Sequence, residues 1–98
     1  MVKACRDKWL WNFYADDVHS KKIPAEIKDR LFRKMQLIDD ATCDRDLRSP
    51  KSNHFEKLKG DLIPHFSIRV NRQWRLIFLW ENSRGEASQL YLDNHSYR

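Results

Sequence analysis

Arg69, Arg72 and Arg75 crowd into the stretch SIRVNRQWRLIFLW, residues 67–80, whose apolar residues alternate as they do in a β-strand. Downstream, LDNH places Asp93 two residues before His95, and upstream HFEKLKGD carries Lys57 and Lys59. An imidazole titrates near neutral pH, so it can move a proton, and a nearby carboxylate can orient or charge its ring. Guanidinium and ammonium groups bind phosphate and favour the crowded, doubly charged phosphorane. Together these residue types suit cleavage of RNA by its own 2′-hydroxyl, which requires proton transfer and cations but no metal.

For these side chains to meet, the strands that carry them must be adjacent and in the right register. Phe66, Ile68 and Val70 alternate with Ser67, Arg69 and Asn71, while Trp74, Leu76, Phe78 and Trp80 alternate with Arg75, Ile77 and Leu79. Both strands must send their large apolar residues to one side, which fixes the parity of the loop. A two-residue loop pairing Asn71 with Trp74 would put Trp74 on the face opposite Val70. The three-residue loop Asn71-Arg72-Gln73 pairs Val70 with Trp74, and Arg69 then lies across from Arg75.

Like charges opposed on a sheet destabilise it by about 0.2–1 kcal/mol unless an anion sits between them. A carboxylate, Asp61 or Glu56, can serve, and so can a bound phosphate; the pairing alone does not choose. A last strand over residues 87–93 would put Leu90 and Leu92 on one face and Tyr91, Asp93 and His95 on the other. Beside the Arg75 strand, it opens His95 onto the face of Arg75, and Lys57 and Lys59 add cations from the strand before.

The remaining elements must support this sheet. Residues 1–5 suit a short strand, and residues 7–17 a helix with Leu10, Phe13 and Tyr14 on one face. A second helix begins at Pro24, with Ile27, Leu31, Met35 and Ile38 as its apolar stripe and Lys28, Asp29, Arg33 and Lys34 on the solvated side. Thr42 caps a short helical turn through Leu47, Ser49-Pro50 ends it, and residues 51–54 follow as a polar loop. A turn over residues 81–86 contains Gly85. The expected architecture is α+β: two N-terminal helices packed on one face of a small, mainly antiparallel sheet, with the other face left free.

Composition sets the bounds. The 98 residues, 41% hydrophobic and 12% aromatic, suffice for one core, so the chain reads as a single domain, residues 1–98. No stretch approaches the roughly 18 apolar residues of a membrane span, and the start lacks the apolar segment of a secretory signal, so a cytoplasmic location and no membrane partner are expected. Cys5 and Cys43 read as reduced thiols. His19, His54, His65 and His95 lack the short paired spacings of zinc sites, and neither metal nor cofactor is expected. The net charge is +5, and residues 51–75 hold six cations against Glu56 and Asp61, which points to a polyanionic partner such as nucleic acid.

The segments DRDLRSPKSNHFEKLKGD, FSIRVNRQWRLIFLW and the closing LDNH resemble the HigB-type toxins, also called the plasmid maintenance system killer family, within the RelE superfamily. The similarity runs from Val2 to about His95. It implies a RelE-like fold and a ribosome-dependent endoribonuclease that cuts messenger RNA in the decoding site. The partners it implies are the 70S ribosome with its mRNA and a HigA-type helix-turn-helix antitoxin, through which operator DNA is contacted only indirectly. By position, the resemblance makes His95 the proton-transfer residue, with Arg75 and Lys59 on the scissile phosphate and Asp93 in support. RNA-backbone contacts are expected from Arg69, Arg72, Lys57, Lys51 and Arg48.

One position departs from the family's Asp-Tyr-His ending: Asn94 stands where the tyrosine is expected, and Ser96-Tyr97-Arg98 extend the tail. An aromatic that could stack on a base is therefore absent from its place, with Tyr97 or Tyr91 as substitutes. The competing class is a binding-only protein, either a catalytically degenerate toxin homologue or a small RNA-binding module. Trp9 and Trp11 fall on different sides of their helix, which leaves one to meet an antitoxin.

Overall fold

The computed structural model describes residues 1–94. Three α-helices precede the sheet: α1 (Lys8–Asp16), α2 (Lys28–Asp40) and α3 (Asp44–Arg48). Four strands follow, β1 (Glu56–Lys57), β2 (Phe66–Arg69), β3 (Trp74–Glu81) and β4 (Glu86–Asn94), antiparallel neighbours in chain order.

The apolar spacing of the helices does what it predicts. Leu10 and Phe13 of α1 are buried, as are Leu31, Met35 and Ile38 of α2 and Ile27 just before it. The first turn after Pro24 is 3-10, over Ala25–Ile27. These side chains form one core cluster with Ile68, Val70, Leu76, Phe78 and Leu90 from the sheet. Asp39 of α2 ties the layers together, accepting from the Val2 N–H at 2.7 Å and from the Tyr14 hydroxyl at 2.8 Å. Residues 1–5 run parallel to β4 through isolated bridges, Val2 to Ala87 and Cys5 to Leu90, and so cover that edge of the sheet.

Several expectations are corrected here. Thr42 is not an acceptor at the start of α3; its N–H and hydroxyl both donate to Asp46, at 2.9 and 3.1 Å, and this holds the Asp46 carboxyl below its usual range. Residues 51–54 are not simply a polar loop. Lys51–Asn53 form a 3-10 turn that folds Asn53 inward to full burial, where its Nδ2 donates to the Leu47 and Ser49 carbonyls. Nor is the second face of the sheet free. Ser67 and Ile77, opposed in register on that face, are both buried.

β4 also contains an irregularity that strict alternation does not foresee. Ile77 pairs with Tyr91 and Leu79 with Ser88, so one residue of β3 faces two of β4, and Gln89 takes up the extra length at φ 58°. The bulge lets Ala87 and Leu90, at odd separation, both join the core.

Candidate active site

The β2–β3 connection is held by Asn71, whose Oδ1 accepts from the N–H groups of Gln73 at 2.8 Å and Trp74 at 2.7 Å. The N–H groups of Val70 and Asn71 both donate to the Trp74 carbonyl, at 2.9 and 3.1 Å. This is the three-residue loop that apolar parity demands. Arg69 therefore pairs with Arg75 in register, and Arg75 pairs with Asp93 on its other side.

The carboxylate that answers the arginines is Asp93, not Asp61 or Glu56. Its Oδ2 accepts from Arg75 Nε at 3.2 Å, with the two side chains only 12% and 13% exposed. Arg75 is anchored by its inner nitrogen, and its terminal nitrogens make no hydrogen bond among the described residues. Arg69 is exposed and has no ion pair among them.

Arg69 and Arg75 line a small cleft of about 50 Å³ with His54, Glu56, Ser67 and Arg72. Next to it on the same face stands Tyr91, with the Arg6 guanidinium carbon 3.7 Å from its ring centre and the His65 ring at its edge, 6.4 Å away. Arg6 thus occupies a face of Tyr91 that a base would need for stacking. Neither Arg6 nor His65 was picked out by sequence reasoning, because their contacts to Tyr91 are non-local.

The other candidate residues are dispersed. Lys57 pairs with Phe66, so it lies on the face of Phe66 and Ile68, opposite Arg69 and Arg75; the expectation that it adds a cation to the arginine face is corrected by strand parity. Lys59 is exposed, immediately before the 3-10 turn Gly60–Leu62, and is not among the residues lining the cleft. Lys51 and Arg72 are exposed, and Arg48 is engaged with Asp44 at 3.1 Å. His95 and Tyr97 lie outside the described residues. Cys5 and Cys43 are free thiols; burial, then the charge of Asp7, pushes Cys5 up to about 12, so it is no nucleophile at neutral pH.

The family model described as a RelE-like toxin of the type II toxin-antitoxin system HigB matches residues 3–95. The chain belongs to the HigB-like toxin family. It is 49% identical to Toxin HigB-1 of Vibrio cholerae serotype O1 over 97 residues, covering 99% of this chain and 100% of that protein. It is also 34% identical to the Endoribonuclease HigB of Proteus vulgaris over 96 residues, covering 97% of this chain and all of the relative. An uncharacterized protein of Haemophilus influenzae is 46% identical over 93 residues, covering 94% of this chain and 89% of that protein. A HigB-like chain is the toxin half of a toxin-antitoxin system, so an antitoxin is its partner. The α+β arrangement, helices on a four-stranded antiparallel sheet, is that of a RelE-like toxin. No helix among the described residues is long and apolar enough to cross a membrane.

The HigB-like chain also has a basic region that the sequence reading passed over. Arg30, Arg33 and Lys34 of α2 line a groove together with Arg69, Asn71 and Arg72 of the hairpin. Their spacing, three and then one residue apart on one side of a helix, was the available signal. In the sequence Arg33 and Lys34 read only as part of a solvated face and Arg30 carries no assignment, because nothing local indicates that the hairpin loop lies beside them.

Proposed function

We propose that the chain is an endoribonuclease that cuts messenger RNA on the ribosome. The observation that carries this reading is the anchored Arg75: held at Nε by Asp93, set across from Arg69, with terminal nitrogens unpartnered among the described residues at the edge of the cleft. That is how a guanidinium is presented to a phosphate. The 2′-oxygen attacks the adjacent phosphorus, the 5′-oxygen leaves, and His95 moves the proton. Arg75 stabilises the added charge, Arg69 and Arg72 hold the backbone, and Lys59, Lys51, Lys57 and Arg48 contribute at longer range. Asp93 acts through Arg75 as a positioning residue. The ribosome supplies the in-line alignment that a cleft this shallow does not supply by itself. A HigA-type helix-turn-helix antitoxin neutralises the activity and links it to operator DNA, and the site of action is the cytoplasm, where translated messages are. The name Endoribonuclease HigB, borne by the Proteus vulgaris relative, supports the reaction class.

The test is induction of the chain in bacteria with mapping of the 5′ ends of its messages. Cuts in phase with codons, on translated messages only, are the expected result. His95→Gln is expected to lower cleavage by about 10²–10⁴ and Arg75→Ala by about 10²–10³, each with antitoxin binding intact. Variants as toxic as the parent would remove these residues from the mechanism. A binding-only reading draws on Asn94 and on Tyr91, whose ring is capped by Arg6. Intact messages with normal growth would select it.

A further inference from the structure

The groove between α2 and the β2–β3 loop, about 520 Å³ in volume, is walled among the described residues by five cations, Arg30, Arg33, Lys34, Arg69 and Arg72, and by no carboxylate. Arg30, Arg33, Arg69 and Arg72 are exposed. Lys34 is partly buried, and its ammonium donates to the Oδ1 of Asn53. Asn53 is itself fixed by two backbone carbonyls, so the Lys34 head is held in place at the groove wall. Assembling these charges without a carboxylate is unfavourable in the isolated protein, and burial together with Arg30 lowers the pKa of Lys34 accordingly. A bound anion reverses the sign of that interaction.

Continuity identifies the anion. Arg69, Asn71 and Arg72 line both this groove and the Arg75 cleft, so the two form one basic track that passes over the hairpin loop. A helix or loop of a protein partner would need apolar anchors, and among the described residues Leu37 and Val70 are the only apolar ones lining the groove. Cations spread along a track, rather than converged on one point, suit a chain of phosphates.

We propose that the α2–hairpin groove holds the single-stranded RNA backbone flanking the nucleotide in the Arg75 cleft. This rests on the reading of that cleft as an RNA site and extends it by naming a second contact region. The groove sets affinity and register along the strand while the cleft does the chemistry.

The test uses the full chain with Arg30→Gln and Arg33→Gln together, both at exposed helical positions where glutamine is a good helix former. The probe is a short, fluorescein-labelled, 2′-O-methylated single-stranded RNA, which cannot be cut, titrated by anisotropy across a series of potassium chloride concentrations. Losing two phosphate contacts is expected to weaken binding roughly 20-fold near 0.1 M salt and to make log K against log salt shallower by about 1.4. Arg30→Lys with Arg33→Lys is expected to restore the slope. A melting curve of the glutamine variant at low salt, expected to be no lower than the parent's, separates lost binding from lost fold.

Cosedimentation with ribosomes gives the second arm. Loss confined to that arm keeps the phosphate chemistry but assigns it to ribosomal RNA, overturning the single-strand assignment. Unchanged slope and unchanged cosedimentation overturn the proposal, as does a fall in antitoxin affinity alone, which would make the groove a protein-docking surface. Because the oligonucleotide assay reads binding, a wild-type chain that cuts no message would defeat the proposed activity without touching this result.

Discussion

Arg75 and Asp93 show how much a single residue's position depends on a neighbour with no local relation to it. Sequence spacing sets Asp93 near His95 and leaves the arginine pair either a carboxylate, Asp61 or Glu56, or a bound phosphate; the register instead brings Asp93 against Arg75. Their ion pair is mostly shielded from water, so removing Asp93 leaves the Arg75 guanidinium desolvated and without an ion-pair partner among the described residues. Asp93→Ala is expected to lower the free energy of unfolding by about 2–4 kcal/mol, just under the range for fully buried pairs because some solvent reaches the site. Arg75→Ala on top of it is expected to cost far less than the sum of the single changes, since the orphaned charge is then gone. Chemical denaturation of the two single variants and the double variant measures this. Strictly additive losses would mean that Asp93 stabilises the fold by a route other than Arg75.

At the scale of elements, the parts legible in the sequence are those set by apolar spacing. The stripe Ile27, Leu31, Met35 and Ile38 places α2, and the alternation on either side of Asn71 fixes the loop length and hence the arginine register. What escapes is set by backbone contacts that leave no periodic trace: the Gln89 bulge, the inward turn of Asn53 and the parity of Lys57 on a strand of two residues. Gly85 illustrates such a contact. It has φ 62°, and a Cβ added there would lie 2.8 Å from the Thr42 carbonyl oxygen, a backbone atom held by its own neighbours. Gly60 has nearly the same φ, 65°, with nothing within 4 Å of its added Cβ. Both alanine substitutions carry the left-handed penalty of roughly 1–2 kcal/mol. Only Gly85→Ala adds a clash, so it is expected to destabilise by a further 1 kcal/mol or more, a typical overpacking cost of about 1–3 kcal/mol. Urea unfolding of the two variants side by side isolates that difference, and equal losses would mean that the Gly85 turn can shift away from Thr42.

For the molecule as a whole, charge rather than packing decides how stability responds to its surroundings. The net charge is +5, and among the described residues five cations and no carboxylate line the α2–hairpin groove. The ion pairs that oppose this are mostly exposed, as in Lys3–Glu86 at 3.8 Å and Arg84–Glu81 at 3.6 Å, and such pairs contribute about 0–1 kcal/mol each. In about 0.01 M salt the screening length is roughly 30 Å, so every charge acts on every other across a body of 33 × 30 × 25 Å. Near 0.15 M it shrinks to about 8 Å, and repulsion summed over the whole surface fades faster than contacts between immediate neighbours. The melting temperature is therefore expected to rise by several degrees between those salt concentrations, with a domain of this size shifting about 4–8 °C per kcal/mol. Arg30→Gln with Arg33→Gln is expected to start higher at low salt and to rise less, because the densest cluster has been thinned. A melting temperature that falls as salt is added would mean that the exposed ion pairs outweigh the repulsion, and that the groove's cations are tolerated at no cost to the folded state.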